Sequence, residues 1–330
     1  MKYSLIICTY LRPEVLLKLL KSVKSQSLYP DEILIIDGST DDRTTKTLDK
    51  NSFKNLKYFK VTESERGLVK QRNIGIAKVC KNIDIVCFLD DDIVLSPNYF
   101  KNLIATYKAH PEAIGVGGYI TNEVIWQKIP KGYKKSNNDF EMDGYVRKMG
   151  QRFLLRKYLG LLPQSKPCFK SDFSNGFSVS FLPPSGKIYE AEFFMGGVSS
   201  FKKRIFDEIK FSSYFEGYGL YEDADFCLRA SLLGKMYVNT AARLEHFHEE
   251  SGRPNRYKYG KMVIRNGWYV WRVGNPNPTL EARIKWNLTA LLLTLIKFSN
   301  IFTTSNKKSA FTEALGRTIA WWKLLFNKPK

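Results

Sequence analysis

Apolar runs of strand length alternate with helical patterns through the first third of the chain. The runs lie at residues 3–9, 32–36, 56–61 and 83–89. After the first run, apolar residues recur at the three- and four-residue spacing of a helix from Pro13 onward. Largely continuous apolar strands that alternate with helices are typical of a sheet covered by helices on both faces. The pattern therefore predicts an α/β fold with a doubly wound, mostly parallel central sheet.

Short polar clusters directly follow three of these apolar runs. The clusters are Thr9-Tyr10-Leu11-Arg12, Asp37-Gly38-Ser39 and Asp90-Asp91-Asp92. Ligands of doubly wound sheets bind at the carboxyl ends of the strands. We therefore expect a ligand site where the three clusters meet.

The three consecutive carboxylates Asp90, Asp91 and Asp92 repel one another unless a cation neutralises them. Mg²⁺ or Mn²⁺ prefers such oxygen ligands and also bridges the phosphates of a substrate. The alternative is a solvated acidic turn before the next helix, which the pair Ser96-Pro97 is expected to begin. Residue types and spacing alone leave both interpretations open.

Two further groups of ionisable residues lie late in the chain. Glu222, Asp223 and Asp225 open a helical pattern, where acidic residues can stabilise the helix dipole without any chemistry. His246 and His248 are two of only three histidines, and at i and i+2 of a strand they would point the same way. A contact with a metal or diphosphate and a pair of surface histidines both fit this spacing.

The net charge of +20 over 330 residues implies an anionic partner: nucleic acid, an anionic membrane surface or a phosphorylated substrate. Most of the excess lies after residue 252, where 15 Lys and Arg residues are accompanied only by Glu281 and Glu313. The apolar stretch at 288–296 is shorter than the about 20 residues of a spanning helix. This basic, aromatic tail therefore has two interpretations: helices lying on an anionic membrane surface, or helices packing on the preceding domain or in a homo-oligomer.

The cellular compartment is indicated by the cysteines and by the start of the chain. The five cysteines are odd in number and show no CxxC spacing, which is typical of reduced, buried thiols. The opening MKYSLIICTY contains too short an apolar run for a signal peptide and leads directly into a helical pattern. We therefore expect a cytoplasmic protein, peripheral on the inner face of the cell membrane if the tail docks there.

Six segments of the chain, in order, resemble the motifs of a known enzyme family. They are Ser4-Leu5-Ile6-Ile7-Cys8-Thr9-Tyr10, Ile35-Ile36-Asp37-Gly38-Ser39-Thr40-Asp41-Asp42, Gln71-Arg72-Asn73-Ile74-Gly75, Phe88-Leu89-Asp90-Asp91-Asp92, Gly196-Gly197-Val198-Ser199-Ser200-Phe201 and Glu222-Asp223-Ala224-Asp225-Phe226-Cys227-Leu228-Arg229. Each is weak by itself, but six in the family's order are hard to produce by chance. The chain resembles the inverting family 2 glycosyltransferases of bacterial surface-polysaccharide synthesis, which have a GT-A fold.

The resemblance implies a division of the chain into a GT-A domain at 1–253 and a basic helical tail at 254–330. Residues 1–118 would form the nucleotide-binding half, 119–170 an insertion and 171–253 the acceptor and catalytic half. Within the insertion, the residue pattern itself predicts a helical piece near 145–158.

The resemblance also implies residues that bind the donor. The nucleotide-binding residues would be Thr9, Tyr10, Arg12, Asp37, Arg72, Asp90 and Asp91, with Asp37 at the base. The metal ion, Mn²⁺ or Mg²⁺, would be held by Asp92, Asp90 and His246, the last favoured over its neighbour by the family's spacing from His to Ser. The donor itself would be a UDP, GDP or dTDP sugar.

On the acceptor side, the resemblance implies roles for Gly196 and Gly197 beside a glycan or polyprenyl-linked acceptor. Asp223 would be the catalytic base, with Glu222 as the runner-up. The metal would neutralise the leaving diphosphate while the carboxylate takes the proton of the acceptor hydroxyl. A single displacement of this kind inverts the anomeric configuration.

Three rival functions explain the residues less completely. A nucleic-acid-binding protein would explain the charge, but the chain has no RNP, zinc or helix-turn-helix signature and the acidic triplet would have no role. A nucleotidyltransferase would ordinarily bring a glycine-rich loop after the first strand, where this chain has no glycine. A degenerate GT-A scaffold would not need the acidic residues that this chain retains. We therefore expect an active transferase and no nucleic-acid partner.

Overall fold

A computed structural model describes residues 1–248 and 254–329. The chain divides into two compact units, one of Met1–Ile125 with Ser178–Gly252 and one of Trp126–Phe177 with Arg253–Lys330. The predicted tail therefore shares its unit with most of the predicted insertion at 119–170.

Strands and helices alternate through the first third of the chain, as the apolar pattern predicts. In the described residues the strands are β1 (Tyr3–Thr9), β2 (Glu32–Asp37), β3 (Leu56–Lys60), β4 (Ile85–Asp90), β5 (Ile93–Leu95), β6 (Gly115–Ile120), β7 (Gln127–Lys128), β8 (Asp139–Met142), β9 (Tyr145–Lys148), β10 (Ile188–Ala191), β11 (Val198–Lys202) and β12 (Met236–His246). The α-helices of the same residues are α1 (Pro13–Lys24), α2 (Arg43–Asp49), α3 (Leu68–Lys78), α4 (Tyr99–Ala109), α5 (Gln151–Tyr158), α6 (Glu222–Ala230), α7 (Arg256–Gly274), α8 (Leu280–Ser299) and α9 (Lys307–Lys323).

The first unit is built on one large mixed sheet. Over the described residues it has nine strands, in the order β10-β12-β6-β11-β4-β1-β2-β3, with β5 beside β12. Strands β4, β1, β2 and β3 are parallel to one another, and β12 is parallel to β6. Strand β11 runs antiparallel between β4 and β6, and β10 and β5 run antiparallel to β12. The predicted α/β fold is thus confirmed, while strand direction in the second half of the sheet varies because an apolar run does not encode direction.

Strand register brings the three polar clusters to one edge of this sheet. Thr9 pairs with Asp37 where β1 and β2 end, and Cys8 pairs with Asp90 where β4 ends. The meeting of the clusters at the carboxyl ends of parallel strands is therefore confirmed.

A continuous core holds these strand ends in place. Leu19 of α1 and Phe100 of α4 are fully buried together with Leu5 of β1 and Ile33 of β2. Burying a side chain of this size stabilises the fold by roughly 1.5–3 kcal/mol. The polar edge is therefore carried by a rigid, close-packed support.

The second unit contains a small antiparallel sheet in the order β7-β9-β8, followed by α5. The helix predicted near 145–158 is wrong in its first part, because Tyr145–Lys148 forms β9 and α5 begins at Gln151. Asp143 and Gly144 both take positive φ, 50° and 76°, and form the two-residue turn of a β8–β9 hairpin. An Asp-Gly pair is the sequence signal for such a turn.

Helices α7, α8 and α9 form most of the rest of the second unit. Trp271 and Trp286 pack against each other in its core, with ring centroids 5.7 Å apart. Helices α7 and α9 cross so closely that a Cβ on Gly260 would overlap the Glu313 carbonyl, and one on Gly316 would overlap the Tyr257 carbonyl. No helix in the described part of the chain is long and apolar enough to cross a membrane.

The five cysteines are all free thiols. Cys87, Cys168 and Cys227 are buried, as predicted, and Cys8 and Cys80 are partly exposed. Burial raises the pKa of the Cys8 thiol to about 12, so this thiol is protonated at neutral pH.

Candidate active site

The loop after β1 is fastened to the acidic triplet through Asp91. The Thr9 hydroxyl donates to Asp91 Oδ2 at 2.7 Å, and the Arg12 guanidinium contacts Oδ1 at 3.1 Å. Burial raises the pKa of the Asp91 carboxyl to about 6, although Arg12 and Thr9 oppose the shift. Tyr10, which lies between Thr9 and Arg12 in the sequence, is exposed directly after β1. Asp91 therefore holds the first loop in place, and its direct contact with a nucleotide stays a prediction.

Asp37 lies fully buried at the end of β2. Its Oδ1 accepts a hydrogen bond from the Ser39 backbone N–H at 2.7 Å, and its Oδ2 accepts one from the Tyr58 hydroxyl at 2.8 Å. The Gln71 side-chain amide donates to the backbone carbonyls of the last residue of β1 and the penultimate residue of β2, at 3.2 and 2.7 Å. Tyr58 was not singled out, since a tyrosine within a strand carries no signal of its own. Gln71 stands in one of the six motif segments, but the motif does not show what its side chain contacts.

Arg72 lies buried on α3 between two carboxylates. One guanidinium nitrogen bonds Glu222 Oε1, and the other lies 3.3 Å from Asp90 Oδ1. The guanidinium also lies 5.7 and 5.3 Å from the ring centroids of Phe88 and Phe211. Burial disfavours its charge, but the two carboxylates outweigh this effect and hold the pKa of Arg72 above its ordinary value. Arg72 is therefore a fixed cation at the carboxyl end of β4.

Gly196 and Gly197 precede β11 and lie directly against this group of charges. A Cβ on Gly197 would overlap the Asp90 carboxylate. A Cβ on Gly196 would lie 2.6 Å from Arg72 Nη1 and 2.9 Å from Asp223 Cβ. Glycine at both positions is what allows the backbone to approach the charged side chains so closely. The role of the two glycines towards an acceptor stays a prediction.

The two candidate bases at the start of α6 have different surroundings. Glu222 is buried against Arg72, and burial raises the pKa of its carboxyl although the charge of Arg72 opposes the shift. Asp223 is partly exposed, and its Oδ2 accepts a hydrogen bond from the Gly196 N–H at 3.1 Å. The surrounding protein buries enough of the Asp223 carboxyl to raise its pKa as well. Of the two carboxylates, Asp223 is the more exposed.

Asp90, Asp92 and His246 converge from the end of β4, the turn after it and the end of β12. One ligand atom of each lies within 4.8 Å of those of the other two, and His246 Nε2 is 3.0 Å from Asp92 Oδ1. Carboxylate oxygens suit Mn²⁺ and Mg²⁺, and an imidazole nitrogen is a common additional ligand for transition-metal ions. The three residues predicted to hold a metal ion are thus brought together, and their donor atoms fit one.

The loop after β6 supports His246. The Asn122 side chain donates to the His246 carbonyl at 2.9 Å and accepts from its N–H at 3.0 Å. Glu123 Oε1 lies 3.3 Å from His246 Nδ1 and 2.8 Å from His248 Nε2. Burial disfavours charge on His246, but Asp92 and Glu123 outweigh it and raise its pKa to about 10, so His246 would have to release a proton to bind a metal ion. Asn122 and Glu123 follow the carboxyl end of a strand, so the signal that located the other clusters could have located them too.

The family model for glycosyl transferase family 2 matches residues 4–192, which is more than half of the chain. The chain belongs to this family. The resemblance drawn from the six motifs is therefore confirmed.

Curated relatives of this family 2 chain carry the names of sugar transferases. A glucosyl-dolichyl phosphate glucuronosyltransferase of Haloferax volcanii is 27% identical over 39% of this chain and 41% of its own length. An O-antigen chain rhamnosyltransferase of Salmonella typhimurium is 30% identical over 32% of each. The matched segments thus span less than half of either relative.

Solved structures share the fold of this family 2 chain. The structure of S. aureus TarS 1-349 in complex with UDP has 18% identity and a TM-score of 0.51, covering 93% of this chain and 73% of the TarS 1-349 chain. The structure of GalNAc-T7 with UDP, GalNAc and Mn²⁺ has 17% identity and a TM-score of 0.52, covering 88% and 54%. This likeness confirms the predicted GT-A fold.

Proposed function

We propose that this family 2 chain transfers a sugar from a nucleotide-diphosphate sugar to an acceptor hydroxyl and inverts the anomeric carbon. The observation that carries the proposal is the meeting of Arg72, Asp90 and Asp223 around Gly196 and Gly197. A fixed cation beside a reachable carboxylate serves the two needs of the reaction: a stabilised leaving group and a base for the nucleophile.

Asp223 acts as the general base. Its raised pKa makes the carboxylate a stronger base than an ordinary aspartate, and the Gly196 N–H fixes the orientation of its Oδ2. As the acceptor oxygen bonds to the anomeric carbon, its proton passes to Asp223 and the bond from that carbon to the diphosphate oxygen breaks. Because attack and departure occur on opposite faces, the configuration inverts.

The leaving diphosphate gains negative charge as that bond breaks. Arg72 is held in the protonated state by its two carboxylate neighbours, so it offers positive charge at the strand ends. Asp90, Asp92 and His246 would hold a divalent cation. When bound, such a cation neutralises further charge on the diphosphate as a Lewis acid.

The donor nucleotide binds at the ends of β1 and β2, where Thr9, Tyr10, Arg12 and Asp37 lie. UDP is the first candidate among UDP, GDP and dTDP, because the solved structures of TarS and GalNAc-T7 are described as containing it. The names of the curated relatives support a glycan or polyprenyl-linked acceptor in the building of surface polysaccharide.

Calorimetric binding of UDP, GDP and dTDP, with and without Mn²⁺, tests the proposal on the wild type and on Asp92→Ala. We expect one nucleotide to bind in a metal-dependent manner, and Asp92→Ala to abolish the metal dependence. Asp207→Ala is the matched control, since Asp207 is an exposed aspartate elsewhere in the first unit. Absence of binding to all three nucleotides by the folded protein would overturn the proposal in favour of a degenerate scaffold.

A further inference from the structure

Helix α8 carries an apolar stripe on the side that faces away from the core of its unit. Trp286 and Ala290 are buried in that core. The exposed apolar residues of the helix are Leu280, Ile284, Leu288, Leu291 and Leu295. Their spacing of four, four, three and four residues places them on one helix face over about 22 Å. Five exposed aliphatic side chains in one line exceed the scattered apolar residues of an ordinary surface.

Aromatic residues extend this stripe from α8 to α9. The rings of Phe298 and Phe311 pack with centroids 6.3 Å apart, and Phe311 is itself exposed. Phe302, in the connection between the two helices, is 87% exposed. Trp322 follows Phe311 by three helical turns on the same face of α9 and is exposed as well. We call the five aliphatic residues together with Phe302, Phe311 and Trp322 the apolar face.

The surroundings of the apolar face are strongly basic. Exposed lysines on α9 and just beyond it are Lys307, Lys308, Lys323 and Lys328. The two acidic residues after position 252 are already engaged, Glu281 with Lys285 at 2.6 Å and Glu313 with Lys297 at 3.0 Å. The positive charge of this segment is therefore not neutralised from within it.

We propose that the apolar face docks on an anionic lipid bilayer, with α8 and α9 lying in the headgroup region. Aliphatic and aromatic side chains beside lysines are the combination that inserts between acyl chains while the cations meet anionic headgroups. A second copy of the chain would bring the same positive charge to the interface, so like charges oppose that occupant. The phosphates of a nucleic acid would pair with the positive charge, but they would not bury a row of exposed leucines.

Flotation of the full chain with lipid vesicles tests the proposal without any assay of sugar transfer. The vesicles are phosphatidylcholine alone and phosphatidylcholine mixed with phosphatidylglycerol. We expect binding to the anionic vesicles only, falling about tenfold or more in Ile284→Gln/Leu288→Gln/Leu291→Gln because less apolar area is buried in the bilayer. Lys307→Gln/Lys308→Gln should lower the same binding by about tenfold, since each lysine near an anionic surface contributes attraction.

The matched control is Leu232→Gln/Leu233→Gln, which removes two exposed leucines of the first unit and should leave vesicle binding unchanged. Equal binding by the wild type and the α8 triple variant would overturn the proposal. It would also be overturned if the wild type formed dimers that the triple variant abolished while neither protein bound vesicles. Circular dichroism shows whether each variant keeps its helices.

A measurement on Trp322 keeps the test independent of the α8 substitutions. On bilayers with brominated acyl chains, the wild type should lose more tryptophan fluorescence than Trp322→Phe, because Trp322 lies on the inserted face. Identical quenching of the two proteins would contradict the proposed orientation.

Discussion

The strand-end site of the first unit is rich in acidic residues, whereas helices α7 to α9 of the second unit are rich in basic ones. In the site, charged groups are buried in close pairs such as Arg72 with Glu222. In the helices, lysines stand exposed beside apolar side chains that are exposed too.

Burial explains why the two regions differ. A buried charge must find a partner within the protein, so the site required side chains from several elements to be placed together. An exposed charge is satisfied by water, so the basic helices could accumulate cations without partners. Glu313 follows the same rule as the site residues: it is buried, and it forms ion pairs with Lys297 and Arg317.

We expect the largest change in the rate of sugar transfer from substitution of one of the two carboxylates at the start of α6. Asp223→Asn should lower the rate of sugar transfer by about 10²–10⁴-fold, because the amide cannot accept the proton of the acceptor hydroxyl. Glu222→Gln should lower it much less, since this side chain supports Arg72. The rates are measured by release of the nucleoside diphosphate, after calorimetry has identified the donor.

The pH profile sharpens the same distinction. A base must be deprotonated, so the rate should rise with pH through the pKa of Asp223, which is raised above its ordinary value of 3.8. Asp223→Asn should remove this acidic limb, and Glu222→Gln should retain it. If Glu222→Gln removed the acidic limb and Asp223→Asn retained it, Glu222 would be the base.

Two glycines with close neighbours, Gly260 in the second unit and Gly197 in the first, allow the next comparison. Gly260→Ala should destabilise the protein by about 3 kcal/mol, because the new methyl meets the backbone carbonyl of Glu313 where α7 and α9 cross. Gly197→Ala should instead weaken metal-dependent nucleotide binding, because its methyl displaces the Asp90 side chain. Urea unfolding and calorimetry measure the two effects.

Gly150→Ala is the control for both substitutions, since a Cβ there meets nothing within 4 Å. If Gly197→Ala bound nucleotide and metal as the wild type does, the close contact with Asp90 would have no functional meaning.

We expect the smallest effect, a change in stability, from substitution of Glu313, the buried acidic residue among helices α7 to α9. Glu313→Gln should destabilise the protein by about 1.5 kcal/mol, because a charge-assisted hydrogen bond to Arg317 becomes a weaker one and Lys297 loses its counter-ion. Glu281→Gln removes an exposed pair and should leave stability nearly unchanged, because water screens the attraction. Equal urea midpoints for the two variants would remove the distinction between buried and exposed pairs in this unit.

Much of the first unit could be predicted from local pattern. The strands at 3–9 and 85–90 and the polar residues that follow them were visible because the covalent geometry of a strand fixes where its side chains point. In the second unit, the Asp143-Gly144 pair carries the signal of a hairpin turn, which a helical interpretation of 145–158 overlooks. Tyr58 carries no local signal, and the motif that contains Gln71 does not show the contacts of this side chain, because both contacts form only when β3 and α3 pack beside the ends of β1 and β2.

Residue patterns alone are enough to establish the family, the α/β fold, the strand-end clusters and the sign of the charge in each region. These properties follow from composition, from motifs and from the periods of strand and helix, all of which are local. The pairing of Arg72 with Glu222, 150 residues away, and the support of His246 by Asn122 and Glu123 emerge only when the chain is packed. Such pairings depend on how distant elements pack and on what burial then demands of each charge, so no local pattern encodes them.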